Sequence, residues 1–340
     1  MSMKEKDRML IMRFSALGDV AMTIPYVYAL AETYPHLDIH FVTSSFFGKL
    51  FINPPKNLHI HSFNLKRDYR GITGILHLFF HLQKFHPQYV ADLHNVGRTW
   101  IIDTLFKITG SRVGMLDKMR GTRKDVLKSH IPHPPILDRI SDVFEKLGFP
   151  IKAKNFTLDV PRPMINLNHR AIGIAPFARY VNKTYPLALV EEMVDMLCKK
   201  GLNVYLFGGR GKEQELLEKV AEKHTLCHSV AGKYSLPEEL GIMKEMDLMV
   251  SMDSANHHLA SLAGTRVISI WGATTPICGF MAYGQDEGDA VKLNIGCQPC
   301  SIAGSDKCRK GDFECIRDLS PQIIVSKILK ILNQREATQS

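Results

Sequence analysis

The 340-residue chain predicts an α/β protein made of two consecutive doubly wound halves, each a parallel sheet with helices on its faces. Three observations predict this. Short apolar runs alternate with helical patterns from the first strand onward. Around residues 150–170 the pattern lapses into a stretch carrying Pro150, Pro161 and Pro163 without helical periodicity, which reads as a linker. The alternation then restarts and runs to a terminal helix. At roughly 150 residues per domain the length suits two domains. We expect them at 1–160 and 161–320, with 321–340 as a C-terminal helix and tail packing back on the first domain.

The elements follow in order. Met9 to Met12 is a short apolar strand, a Ser/Gly/Asp turn follows, and Ala21, Ile24, Val27 and Leu30 mark a helix. "DIHFVTSS" reads as a second strand. "GILHLFFHLQKFHPQYVADLH" reads as a helix, a proline break and a third strand ending near Asp92. After the linker, "AIGIAPFA" is a strand and "PLALVEEMVDMLCKKG" a helix stopped at Gly201. "NVYLFGGRGKEQELLEKVAEKH" is strand, glycine turn and helix, and "DLMVSMD" and "RVISIWGAT" are two more strands. "SPQIIVSKILKILNQ" closes the chain as an amphipathic helix, with Ser320 as cap and Pro321 at its first position. In such sheets ligands bind outside the carboxyl ends of the strands.

Composition limits the function classes. Hydrophobic residues make up 45% and charged residues 23%, ordinary for a globular protein. No apolar run reaches the roughly 18 residues of a membrane span, and the N-terminal stretch lacks the pattern of a signal peptide, so a cytoplasmic protein is expected. The net charge of +9 is uneven. Residues 1–160 hold 22 Lys and Arg against 14 Asp and Glu, and the remainder holds 21 against 20. The basic first half attracts anions: nucleic acid, an anionic membrane or a phosphorylated substrate. Its densest piece, residues 111–130, has no aromatic residue for base stacking, and no RNA-binding or helix-turn-helix signature is present. Nucleic acid is therefore not expected as a partner.

Four places offer chemistry. In "RFSALGDVAMTIP" Gly18 and Asp19 lie where a strand meets a helix, with Asp19 either a general base or a cap of that helix. No G-x-G-x-x-G follows the first strand, which weighs against a dinucleotide-dependent dehydrogenase. Lys183 follows a strand and suits a phosphate, or else solvent. "LFGGRGKE" brings Gly208 and Gly209 to a helix start, where a backbone approaches an anion, and Glu213 serves either a ribose or the helix dipole. In "MDSANHHLASLAG" the N–H groups of Ser254, Ala255 and Asn256 open a helix beside Asp253 and suit a diphosphate. His257 and His258 are adjacent and point about 100° apart, so at most one faces that site. This argues against a metal site, and no nucleophile elbow surrounds Ser254. His77 and His81 lie four apart on a helix without an evident third ligand. Cys297, Cys300, Cys308 and Cys315 read C-x2-C-x7-C-x6-C, compatible with a structural zinc knot or with reduced thiols.

Taken together, "RFSALGDVAMTIP", "DLHNVGR", "PFARYVNKTYP", "LFGG…KE", "VAGKYSLPEEL" and "DSANHHLASLAGTRVISIWGAT" resemble glycosyltransferase family 9, the heptosyltransferases of the lipopolysaccharide inner core. The resemblance covers nearly the whole chain. It implies a GT-B fold, two Rossmann-like domains facing across a cleft, with the donor held mainly by the second. It implies inverting, metal-independent transfer from ADP-L-glycero-D-manno-heptose, with Asp19 as base. Lys183, Asp253, Ser254, Ala255 and His258 would then hold the diphosphate, Glu213 would bind the adenosine ribose, and Gly208 and Gly209 would line the same donor site. The acceptor would be an anionic lipopolysaccharide precursor at the inner face of the inner membrane, met by Ser15, Gly18, Arg98, Arg112, Arg120 and Arg123. Two positions depart from the family pattern: Ala255 replaces a glycine and Tyr185 a tryptophan. A GT-B enzyme with another donor or acceptor, or a non-catalytic nucleotide- or nucleic-acid-binding protein, are the competing readings.

Overall fold

Strand β1 (Arg8–Met12) buries every residue from Met9 to Met12, as a central parallel strand covered on both faces must. The computed structural model, which describes residues 7–163, 165, 167 and 170–339, places it in the middle of the first of two sheets. The chain continues through α1 (Leu17–Thr33), β2 (Asp38–Ser44), β3 (Leu58–Phe63), α2 (Leu65–Asp68), α3 (Gly71–Gln83), β4 (Tyr89–Asp92), α4 (Gly97–Ile108) and β5 (Arg112–Met115). Then come α5 (Arg123–Ser129) and α6 (Ile136–Leu147). The strands run β3-β2-β1-β4-β5, with every pairing parallel.

The second sheet uses β6 (Ala171–Ala175), β7 (Asn203–Leu206), β8 (Cys227–Ser229), β9 (Leu248–Met252), β10 (Val267–Ile270) and the two-residue β11 (Ala290–Val291). Its helices are α7 (Leu187–Lys199), α8 (Lys212–Ala221), α9 (Leu236–Lys244), α10 (Ala255–Leu262), α11 (Glu314–Arg317) and α12 (Pro321–Gln339). Its order is β11-β10-β9-β6-β7-β8, again all parallel. Each sheet starts at its centre, winds to one edge, then returns to the other side of its first strand. That reversal creates a crevice at the carboxyl ends of β1 and β4 in one sheet, and of β6 and β9 in the other.

Several elements differ from expectation. Strands β3, β5, β8 and β11 are additional to those read from the sequence. β3 alternates apolar residues with His59 and His61 at a sheet edge, and the others are two to four residues long, too short for a periodic signal. Residues Gly121–His133 group with the second compact unit (which continues from Thr157) and not with the first. The His133 N–H donates to the Ile277 carbonyl at 2.9 Å, tying this segment there. The terminal helix is a second correction. α12 does not return to the first domain for its core: Ile324, Val325, Ile328, Ile331 and Leu332 are buried with Val190, Met193, Val194 and Leu197 of α7 in the second unit's core. An apolar stripe of that spacing needs an apolar partner, and α7 supplies it. The expected linker is also packed where it is described. The Leu158 N–H donates to the Leu262 carbonyl at 2.8 Å, and Leu158 and Val160 are buried. Residues 164, 166, 168 and 169 of that linker lie outside the described residues.

Candidate active site

In the first unit, Arg13 leaves the end of β1 and Asp19 stands in the first turn of α1. Ala16 caps α1 and has no side-chain acceptor, so the Asp19 carboxylate reaches back and accepts the Ala16 N–H at 3.0 Å. It also pairs with the Arg13 guanidinium at 2.5 Å. Arg13 is itself buried and donates to the Leu93 carbonyl beyond β4. Asp19 keeps 32% of its side chain exposed to solvent. Gly18 lies within the helical first turn, not in an unusual backbone turn, and Ser15 is exposed just before it.

The facing arm comes from the end of β4. Buried Asp92 accepts the N–H groups of His94 and Asn95, both at 2.8 Å, and so folds the loop back toward β1. Asn95 donates to the Leu116 carbonyl at 2.6 Å, and its own carbonyl accepts Arg120 at 2.7 Å. The result is a concentration of positive charge around Asp19. Burial pushes His94 down to about 3, and the nearby Arg13, Lys118 and Arg98 add to this, so the imidazole is neutral at physiological pH. Burial, Arg13 and Arg120 push Lys118 down to about 8.

In the second unit, a helical turn after β6 delivers Lys183, and β9 delivers Asp253. Their side chains pair at 2.7 Å and are 12% and 6% exposed. Thr274, just past β10, donates to the same Asp253 oxygen at 2.6 Å. The approach of the Lys183 turn requires Gly272: a Cβ there would lie 2.4 Å from the Asn182 carbonyl oxygen. Ser254 caps α10, but its hydroxyl turns to Ser251 at 3.5 Å and makes no cap bond to the helix's own N–H groups. His257 is fully buried, edge-on to Trp271, and burial holds its imidazole neutral. His258 is 7% exposed.

At the end of β7, the Gly209 N–H donates to the Glu213 carboxylate at 2.7 Å, in the first turn of α8. Gly208 lets that helix sit close, since a Cβ would lie 2.8 Å from Leu217. Glu239 of α9 is pushed up to about 7 by burial, against the pull of Arg210.

The structure thus brings Asp19, Arg98 and Arg120 together at one crevice, and Lys183, Asp253, Ser254, Ala255 and His258 at the other. It does not bring Arg112 to either. Arg112 begins β5, at the amino edge of the sheet, and stacks over Tyr89 at 5.7 Å. Arg123 begins α5 in the segment grouped with the second unit. Sequence reasoning missed Arg13, His94, Lys118, Thr274 and Glu239. All but Lys118 lie in or beside the stretches that carry the family resemblance, yet nothing local marks their roles.

Two other candidates resolve differently. His81 accepts or donates a hydrogen bond with Tyr69 at 3.0 Å, while His77 is exposed. The four C-terminal cysteines are free thiols. They come near enough that each of the other three disfavours ionisation of Cys315, which burial pushes up to about 12. Among the described residues, no group of three or more His, Cys, Asp or Glu side chains is arranged to hold a metal ion. No helix of the described residues is long and apolar enough to cross a membrane.

The model of glycosyltransferase family 9 (heptosyltransferase) matches residues 101–307, more than half of the chain. The chain is 26% identical over 289 residues to the Escherichia coli lipopolysaccharide heptosyltransferase 3, covering 78% of this chain and 83% of that one. A solved family 9 glycosyltransferase from Veillonella parvula superposes with a TM-score of 0.76 at 16% identity, over 97% of this chain and 98% of the other. The E. coli ADP-heptose heptosyltransferase II superposes at 0.68 with 17% identity, over 97% and 99%. The two Rossmann-like sheets are those of a GT-B fold. The chain belongs to glycosyltransferase family 9, the heptosyltransferases, and is a glycosyltransferase.

Proposed function

We propose that this enzyme moves a heptose from ADP-L-glycero-D-manno-heptose to the inner core of lipopolysaccharide, without a metal ion, with Asp19 as general base. One observation carries the reading. The two sheet crevices hold complementary chemistry: an accessible carboxylate amid cations in the first unit, and a lysine beside an open helix start in the second.

Asp19 takes the proton from an acceptor hydroxyl as that oxygen attacks the anomeric carbon from the face opposite the leaving group, inverting the centre. The bond to the ADP oxygen breaks, and the diphosphate leaves with added negative charge. Lys183, the first N–H groups of α10 and His258 neutralise that charge, which is the part a divalent cation plays elsewhere. Asp253 and Thr274 fix the Lys183 ammonium where the phosphates arrive. Arg13, Arg98, Lys118 and Arg120 meet the carboxylates and phosphates of an anionic acceptor. Glu213 receives ribose hydroxyls. An acceptor of this kind sits on a cytoplasmic, anionic membrane surface, so the enzyme works there peripherally.

The test is Asp19→Asn. Turnover falls by about 10² to 10⁴, while ADP affinity measured by calorimetry stays the same and is indifferent to EDTA. Turnover near the wild-type level removes Asp19 as base. Preference for a uridine or guanosine diphosphate over ADP discards the donor while keeping the base.

A further inference from the structure

We propose that the outer face of α3 and α4 docks the enzyme on an anionic lipid bilayer. The two helices cover the same part of the first sheet, with Phe79 and Phe106 meeting edge-on between them at 5.0 Å. Their inner sides fill the core, with Ile75, Leu78, Phe79 and Leu82 from α3 and Ile102 and Phe106 from α4. Their outer sides are also apolar. Ile72 and Phe80 on α3 are 71% and 63% exposed, and Trp100 and Ile108 on α4 are 47% and 76% exposed. Ile72, Leu76 and Phe80 form one apolar stripe at helical spacing, and on α4 Trp100 and Ile108 stand two turns apart on one side, with Thr104 between them. Large apolar side chains grouped this way on a helix pair mark an interaction surface.

The charge around the stripes identifies the partner. From residue 65 to residue 112 the chain carries seven Lys and Arg against three Asp. Asp92 and Asp103 are buried, and Asp68 is paired with Arg67 at 2.6 Å. Arg70 precedes Ile72, Lys84 follows Phe80, and Lys107 adjoins Ile108, all three exposed. Arg120 lies over the Trp100 ring at 5.4 Å. An apolar stripe rimmed by cations fits the boundary of acyl chains and anionic headgroups. A symmetric contact with a second copy would instead set this basic rim against itself.

The face also connects to the site. The Trp100 indole N–H donates to Asn95 at 2.6 Å, in the loop that carries His94. Docking there presents the acceptor crevice to a lipid-anchored substrate. The inference deepens the acceptor reading and rests on it for this last step. Its deciding readout, binding to vesicles, uses no sugar, so the two fail separately.

The chain has two tryptophans, and Trp271 is fully buried, so Trp100 reports on this face alone. The full-length protein is mixed with vesicles of phosphatidylglycerol and phosphatidylcholine, or of phosphatidylcholine alone, and sedimented. The expected result is salt-sensitive binding to the anionic vesicles with a blue shift of Trp100 emission. In Phe80→Ser/Ile108→Ser the partition coefficient falls by about tenfold or more, with unchanged melting and unchanged turnover on a water-soluble acceptor. No binding to anionic vesicles, or equal binding by the double variant, overturns the proposal. So does a concentration-dependent dimer in ultracentrifugation that the double variant abolishes, because the face then belongs to a second copy.

Discussion

Lys183→Met tests whether the second crevice is built as described. The Lys183 ammonium and the Asp253 carboxylate pair at 2.7 Å with little solvent access to either. Removing the lysine strands a mostly buried carboxylate. Breaking one side of a buried pair costs about 3–5 kcal/mol, and the surviving Thr274 hydrogen bond to Asp253 argues for the lower end, about 3 kcal/mol. The second unit spans Thr157–Ser340 with Gly121–His133, a size at which each kcal/mol moves Tm by about 2–4 °C. The unfolding transition of that unit should therefore drop by about 6–12 °C. Trp271, fully buried in that unit, is the natural fluorescence reporter. In Lys183→Met/Asp253→Asn much of the loss should return, with a coupling of about 1.5 kcal/mol or more between the sites. A single variant whose Trp271 transition moves by less than about 2 °C, together with additive effects, would refute the buried pair. Lys183 would then be a solvated side chain, and Asp253 would have no part in orienting it.

Two further outcomes follow from the first unit. Lys118, pushed down to about 8, loses its charge as pH rises through that value. The KM for an anionic acceptor should rise from about pH 7 to pH 9 in the wild type and stay flatter in Lys118→Arg; parallel profiles would remove Lys118 from acceptor binding. Asp103, buried beside Asp92, is pushed up to about 9 by burial first and by that neighbouring carboxylate second, so it is neutral in the fold and ionised in the unfolded chain above its ordinary value. Its contribution is complete at pH below about 4 and is lost as pH rises towards 9, on the order of several kcal/mol. Melting of the wild type should fall over that range and that of Asp103→Asn should fall less; an equal slope in both would show that Asp103 is not the group concerned.

Much of this was legible in the chain. The alternation of apolar runs with helical patterns specified two parallel sheets because burial on both faces demands apolar strands, as Met9–Met12 and Leu248–Val250 provide. The strand-to-helix junctions were equally readable. Gly18–Asp19, Gly208–Gly209 and Asp253–Ser254 each stand where a strand ends and helix N–H groups open. Short or edge strands such as β3 and β11 were not readable, since a few residues carry no period.

What the sequence by itself determined, then, is which residue types stand at which strand ends, because local pattern and burial decide that. Only tertiary structure decided which strand ends meet. The winding order sets the loop after β1 beside the loop after β4, and so surrounds the local Arg13–Asp19 pair with His94, Lys118 and Arg120, residues far from it in the chain. It sets Lys183 against Asp253 and Thr274 in the same way. It sends Arg112 to the opposite edge of the sheet, because a residue that begins a strand stands a full strand length from the crevice. It also commits α12 to the second core, where α7 offers a matching apolar face. Partner choice of this kind depends on packing between distant segments, and no local run of residues encodes it.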